Sequence, residues 1–124
     1  MHNTKGVMIS EQLIQDLFWG LSKLCNERNE KWNTKELNHG ETFMLMVSEI
    51  AEAMEGHRKD LMDSHIPTRK QVEVELADLL IRVFHYAGRT GLDLGGAFNE
   101  KLEYNVWRED HTEKARNAPG GKKY

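Results

Sequence analysis

Two short acidic motifs carry the clearest chemical signal in the chain. Glu49-Ile50-Ala51-Glu52 and Glu75-Leu76-Ala77-Asp78 each hold two carboxylates three residues apart. On a helix that spacing sets both acids within about 60° of each other on one surface, so each pair can share a ligand. Four clustered carboxylates repel one another and need a counter-charge. A hard divalent cation supplies it, and magnesium suits an all-oxygen set that also bridges to phosphates better than zinc does. Taken singly, such a pair is an ordinary solvated acidic face. Two of them on apolar segments indicate a cleft.

A second set lies downstream. Lys101, Asn105 and Arg108 recur at i, i+4 and i+7 and share a stripe with Leu94 and Phe98, which predicts that they face inward. A lysine, an amide and an arginine facing carboxylates can hold a polyphosphate, the arginine through a bidentate fork and the lysine as a point charge. The bland alternative is that their long stems snorkel from the surface and pair with nearby acids. Arg82 and His85 follow Glu75 and Asp78 along one polar stripe, and Arg82 and Lys59 are weaker candidates for contacting phosphate. Among the aromatics, Trp32 sits in a polar, irregular stretch and is the candidate for stacking on a flat ligand, with core anchoring as its alternative. Trp19 and Trp107 are expected to pack. His39 and His57 read as ordinary surface or hydrogen-bonded residues; His85 stands apart because it shares the acidic stripe.

The elements that must position these groups are helices. Only Pro67 and Pro119 interrupt the chain, and no sustained apolar–polar alternation marks a strand, so the fold class is all-α. Ser10 caps a first helix with Leu13, Leu17, Leu21 and Leu24 along one seam. After Asn38-His39-Gly40 a second helix runs from about Thr42 to Lys59; its apolar run from Phe43 to Val47 predicts burial on several sides. A loop from Asp60 to Lys70 leads to a third helix, Gln71 to Ala87. The glycines at 88, 91, 95 and 96 mark a turn and close backbone approach, and Asp93 caps a fourth helix expected to reach Arg116. Four helices with a short third connection suggest a bundle.

Composition narrows the setting. With 124 residues, 17 basic and 20 acidic side chains and a net charge of −3, the chain is sized for one domain, residues 1–124, with residues 1–9 and 117–124 expected to be mobile ends. No apolar run suits a membrane span or a secretory leader, so a cytoplasmic setting without membrane contact is expected. The single cysteine, Cys25, excludes an internal disulfide. The slightly acidic balance offers no field for duplex nucleic acid.

At these residues the chain resembles the MazG-like nucleoside triphosphate pyrophosphohydrolases, an all-α family with Glu-x-x-Glu followed after a short gap by Glu-x-x-Asp. Glu49, Glu52, Glu75 and Asp78 match in order, and the likeness continues through Glu55-Gly56-His57-Arg58-Lys59, Lys101, Asn105 and Arg108 to the closing Gly120-Gly121-Lys122-Lys123-Tyr124. It covers the chain from about Phe43 onward. The resemblance implies a four-helix bundle assembled as a homodimer or a dimer of dimers (homotetramer), with clefts built from more than one subunit. It implies an enzyme that hydrolyses a nucleoside triphosphate between the α and β phosphates to the monophosphate and pyrophosphate. The cofactor would be Mg²⁺, with Mn²⁺ as a substitute. Glu49, Glu52, Glu75 and Asp78 would bind the metal, with Glu49 or Glu52 activating the water, and Lys101, Asn105 and Arg108 would contact phosphates.

Two other readings compete. A carboxylate-bridged di-iron bundle needs paired Glu-x-x-His motifs, and Glu36-Leu37-Asn38-His39 is the single such spacing. A non-enzymatic helical interaction module would use the acidic face to bind a basic partner without metal. Burial separates it from a catalytic cluster, because a docking face must be exposed and continuous.

Overall fold

The computed structural model describes residues 8–108 and 113–122. Its regular elements are helical: α1 (Glu11–Arg28), a short 3-10 helix (Glu30–Thr34), α2 (His39–Arg58), α3 (Gln71–Thr90), α4 (Leu94–Trp107) and α5 (Glu113–Asn117). The all-α reading holds. Trp32, expected in irregular chain, lies within the 3-10 helix. Among the described residues, no helix is long and apolar enough to cross a membrane.

Local chemistry sets most of the boundaries. Ser10 Oγ accepts the backbone N–H of Leu13 at 3.0 Å and so satisfies one orphan donor at the start of α1. Asn38 does the same for α2 through the N–H of Glu41, at 2.9 Å, which starts that helix three residues before the expected Thr42 and draws His39 and Gly40 into its first turn. At the other end, the N–H of Leu61 reaches Gly56 O and that of Asp60 reaches His57 O, with Asp60 in the left-handed region at φ 51°. This is a Schellman ending with aspartate where glycine is usual. The backbone N–H of Lys70 donates to Glu73 Oε1 at 3.2 Å to begin α3, and Gly91 closes it at φ 73°.

The chain groups into two compact units. One spans Gly20–Leu92 and holds the second half of α1, α2 and α3. Its central feature is the pairing of α2 with α3 across the loop Leu61–Lys70. Buried Asp63 organises that loop: its Oδ2 accepts the backbone N–H groups of His65 and Ile66 at 2.9 and 2.7 Å, while its own N–H donates to Arg69 O. The helices pack closely at Gly56, where a Cβ would stand 2.7 Å from Gln71 Cβ, and the Gln71 amide donates to Glu52 O at 3.0 Å. At Gly88 a Cβ would stand 2.3 Å from Ser22 O, so α3 meets α1 backbone to side-chain-free backbone there.

The other unit joins the chain up to Trp19 with the chain from Asp93 onward. Asp93 caps α4 through the N–H of Gly96 at 3.0 Å, Phe18 and Phe98 meet with ring centroids 4.8 Å apart, and the buried Asn99 amide donates to Glu11 O at 2.9 Å.

Three expectations are corrected. The fourth helix does not run to Arg116: it stops at Trp107, where Arg108 turns to extended backbone, and Glu113–Asn117 form a separate helix. Trp19 and Trp107 do not pack, being 64% and 78% exposed. Nor is α2 buried on several sides by its own chain, since Phe43, Met44, Val47, Ile50 and Met54 are all exposed. The hydrophobic residues buried among those described are Cys25, Ala53, Phe84 and Ala87, a small core for this length. Part of the expected mobile N-terminal end, residues 1–7, and the last two residues lie outside the described ones. Ala118–Gly121 form a hydrogen-bonded turn against α5.

Candidate metal centre

The two acidic motifs meet where α2 packs on α3. Glu49, Glu52 and Glu75 bring one carboxylate oxygen each to within 4.8 Å of one another. Glu49 is buried, Glu75 half-buried and Glu52 exposed, so the cluster opens on one side. Asp78, one turn beyond Glu75 on α3, falls outside that mutual distance and sits at the exposed rim.

The electrostatics of this cluster are those of an acid group short of positive charge. Glu75 is pushed up to about 8, first by its hydrogen bond with Glu49, then by burial and by Glu52. Burial also works to raise Glu49, but the hydrogen bond with Glu75 and the Arg82 guanidinium outweigh it and hold Glu49 below the usual carboxylate range. The pair therefore shares one proton between two carboxyl groups and titrates as a unit. Partial burial, followed by the Glu49 charge, raises Asp78. Glu49 Oε2 and Glu75 Oε2 are both shut from solvent and have no other donor. Such orphaned oxygens cost free energy. A divalent cation displacing the shared proton would satisfy both, so the donor set fits Mg²⁺.

One cation is already present. Arg82 Nε donates to Glu49 Oε1 at 3.0 Å, both side chains being largely buried, and the same guanidinium lies 5.2 Å from the Trp32 ring centroid. Trp32 in turn meets the His85 ring edge-on at 5.1 Å. These three residues wall a cavity of about 540 Å³ whose other sides include Lys35, Tyr86 and Arg89. That volume is of small-molecule size. Trp32, Arg82 and His85 are thus brought together, and the acids lie one ion pair away.

Tyr86 and Arg89 were not picked out by sequence. Their signal was the helical period, since they follow Arg82 at i+4 and i+7 and so continue its stripe. Lys59, by contrast, is engaged in an exposed i, i+4 pair with Glu55. His57 is exposed.

Lys101, Asn105 and Arg108 belong to the other compact unit. Lys101 does not face inward as expected: it is exposed and lies over the Tyr104 ring, 4.7 Å from its centroid. Asn105 is half-buried, with Oδ1 lacking a donor. Arg108, half-buried just past the end of α4, lines a cavity of about 580 Å³ with Tyr104, the Pro119–Gly121 turn and Lys122. The sequence period ranked Lys101 as inward because it shares a stripe with Phe98, yet Phe98 is itself 40% exposed, so that stripe is not a buried one.

The fold and the site therefore define an all-α protein with a three-carboxylate cluster beside a cationic, aromatic cavity. No protein-family model matches the chain. No curated protein matches it, and no solved structure does.

Proposed function

We propose that the chain is a Mg²⁺-dependent nucleoside triphosphate pyrophosphohydrolase of the MazG-like kind, yielding the monophosphate and pyrophosphate. The observation that carries this reading is the cluster itself: Glu49, Glu52 and Glu75 converge with two buried carboxylate oxygens lacking any donor but a shared proton. The cavity walled by Trp32 and Arg82 beside it supplies room for a nucleoside.

Glu49, Glu52 and Glu75 would hold the cation, with Asp78 completing the set from the rim. Bound Mg²⁺ would stabilise the negative charge that builds on the phosphate oxygens. The water oxygen attacks the α-phosphorus, the bond from that phosphorus to the oxygen bridging to the β-phosphate breaks, and pyrophosphate departs with the bonding pair. The water proton passes to a glutamate. Of Glu49 and Glu52, Glu52 is the exposed one and the one that solvent reaches. Arg82, the ion-pair partner of Glu49, would neutralise phosphate charge beside the acids, and Lys101, Asn105 and Arg108 are the phosphate contacts that the family likeness implies.

The interaction-module reading suits this site less well. A docking face keeps its acids in water, whereas Glu49 is 7% exposed and its partner Arg82 is largely enclosed. The exposed apolar side of α2 supports a homodimer or dimer of dimers, in which a second copy covers Phe43, Val47 and Ile50.

The test is pyrophosphate release from a panel of nucleoside triphosphates with and without Mg²⁺, with Glu52→Gln and Asp78→Asn beside the intact chain. Monophosphate and pyrophosphate should form only with metal, and each substitution should lower the rate roughly 100-fold or more, as loss of a charge-stabilising group does elsewhere. Binding of a basic protein ligand without hydrolysis of any triphosphate would favour the interaction module instead.

A further inference from the structure

The cavity beside the acidic cluster contains a group that the hydrolytic chemistry does not use. His85 is 6% exposed and lines the cavity, yet its Nε2 has no hydrogen-bond partner and no solvent. A buried acceptor or donor left unmade is uncommon and costly. The backbone of Asn29 lies beside the ring and favours its protonated form, as a carbonyl facing an imidazole N–H does. With Nε2 unpartnered, Nδ1 is the nitrogen left to face that carbonyl. Burial, with the charges of Arg89 and Arg82, keeps the ring below the ordinary histidine range and so favours its neutral form. A neutral ring with its proton on Nδ1 offers Nε2 as a bare lone pair.

We propose that His85 is a specificity-determining residue, its Nε2 accepting a hydrogen bond from a ring N–H or exocyclic amino group of a nucleobase lodged against Trp32. The inference rests on the nucleotide reading above and names what selects the base. Trp32 explains why the acceptor is covered in the free protein. Its indole packs edge-on against His85, and it is 38% exposed on a five-residue 3-10 helix, so a change in the ring's position involves a short element alone. A base that stacks on Trp32 takes the ring out of its edge-on contact, uncovers Nε2 and presents its own in-plane donor to it. Arg82, behind Trp32, then marks the side from which the phosphates approach the acids. Recognition of this kind penalises a base whose donor is blocked, because the histidine acceptor stays unsatisfied.

The test uses nucleoside 5′-monophosphates without metal, so that binding is read apart from hydrolysis. Each natural monophosphate is compared with the monophosphate of its N-methylated counterpart: N3-methyluridine, N4,N4-dimethylcytidine, N6,N6-dimethyladenosine, and N1-methylguanosine and N2,N2-dimethylguanosine. Affinity is read from tryptophan emission in a Trp19→Phe, Trp107→Phe background. The preferred base should lose about ten-fold in affinity when its donor is methylated, the worth of one neutral hydrogen bond. That discrimination should collapse in His85→Phe and return in His85→Gln, which restores an acceptor. In ¹⁵N-histidine-labelled protein the unprotonated Nε2 resonance should shift on adding the natural nucleotide and stay put with the methylated one, a readout that survives if His85→Phe does not fold.

The outcomes separate the two readings. Triphosphate hydrolysis with discrimination unchanged in His85→Phe, or with an unmoved Nε2 resonance, overturns the role of His85 and leaves the enzyme intact. His85-dependent binding without hydrolysis of any triphosphate keeps the base-reading histidine and removes the pyrophosphohydrolase. Absence of binding by every monophosphate overturns the His85 proposal outright.

Discussion

At the residue scale, the shared proton between Glu49 and Glu75 has consequences that can be measured. The native protein binds that proton more tightly than the unfolded chain, because Glu75 rises from the usual carboxylate range to about 8. Stability contributed by this group is therefore complete below about pH 4.5 and is lost as pH climbs through about 8. Metal-free protein should show a melting temperature that declines across this window, and Glu75→Gln, which keeps a neutral side chain at all pH values, should flatten the decline. On the proposed reading, a bound Mg²⁺ would take the place of the same proton. Titration calorimetry near pH 7 in buffers of different ionisation enthalpy should accordingly register proton release on Mg²⁺ binding, and release should vanish in Glu75→Gln. A flat melting profile in the wild type would show that the two carboxylates do not share a proton. A protonated Glu75 also explains how three acids coexist in the metal-free fold with Arg82 as their one ion-pair partner among the described residues.

At the element scale, the site depends on how closely α3 approaches its neighbours. Its face bearing Arg82, His85 and Arg89 reaches the cavity because Gly88 lets the helix settle against the backbone at Ser22. A methyl group there meets a carbonyl oxygen that belongs to α1 and cannot swing aside. Gly88→Ala should therefore lower the stability of the protein by roughly 1–3 kcal/mol, the cost of forcing an added carbon into a packed contact. Urea denaturation followed by circular dichroism checks it, and a neutral or stabilising effect, as helix propensity alone would give, would show that α3 can back away from α1. The loop between α2 and α3 acts on the same register. Buried Asp63 ties its own turn together through two backbone N–H groups, which fixes how far along α2 the start of α3 is returned and so whether Glu75 arrives opposite Glu49.

At the scale of the whole molecule, the imbalance between core and surface stands out. The described residues bury few hydrophobic side chains fully, while α2 exposes Phe43, Met44, Val47, Ile50 and Met54 and α1 exposes Leu13, Leu17, Leu21 and Leu24. On α2, Phe43, Val47, Ile50 and Met54 recur at helical spacing, and an exposed apolar stripe of that kind is the surface a partner subunit would cover. A homo-oligomer would bury it and add to a core that is otherwise marginal for this size. Ile50 is 51% exposed and lies between Glu49 and Glu52 in sequence, so the predicted interface adjoins the three-carboxylate cluster. Sedimentation equilibrium of the wild type should give a dimer or tetramer, and Ile50→Asp should shift it towards monomer with a lower melting temperature. In a protein that is monomeric from the outset the same change would leave the mass unaltered and cost almost nothing, since a half-exposed aspartate is well solvated.

Much of this architecture was written locally. The helical class and the caps at Ser10 and Asp93 follow from short-range chemistry, a side-chain oxygen within three residues of an orphan N–H; the same chemistry at Asn38, and a positive φ at Gly91, set the start of α2 and the end of α3 three residues outside the expected Thr42 and Ala87. The pairing of Glu49 with Glu52, and of Glu75 with Asp78, on single faces also needed only the period of the helix. What the period could not decide was anything that depends on two helices meeting. That Glu49 is buried and Glu52 exposed, that Asp78 stands off from the three-acid cluster, and that Trp32 closes on Arg82 and His85 follow from the register of α2 on α3 and from the return of the 3-10 helix. The exposure of Lys101 and the early end of α4 were hidden for the same reason. An apolar stripe states which side of a helix prefers to leave water, but only the neighbours present in the fold determine whether that side is covered.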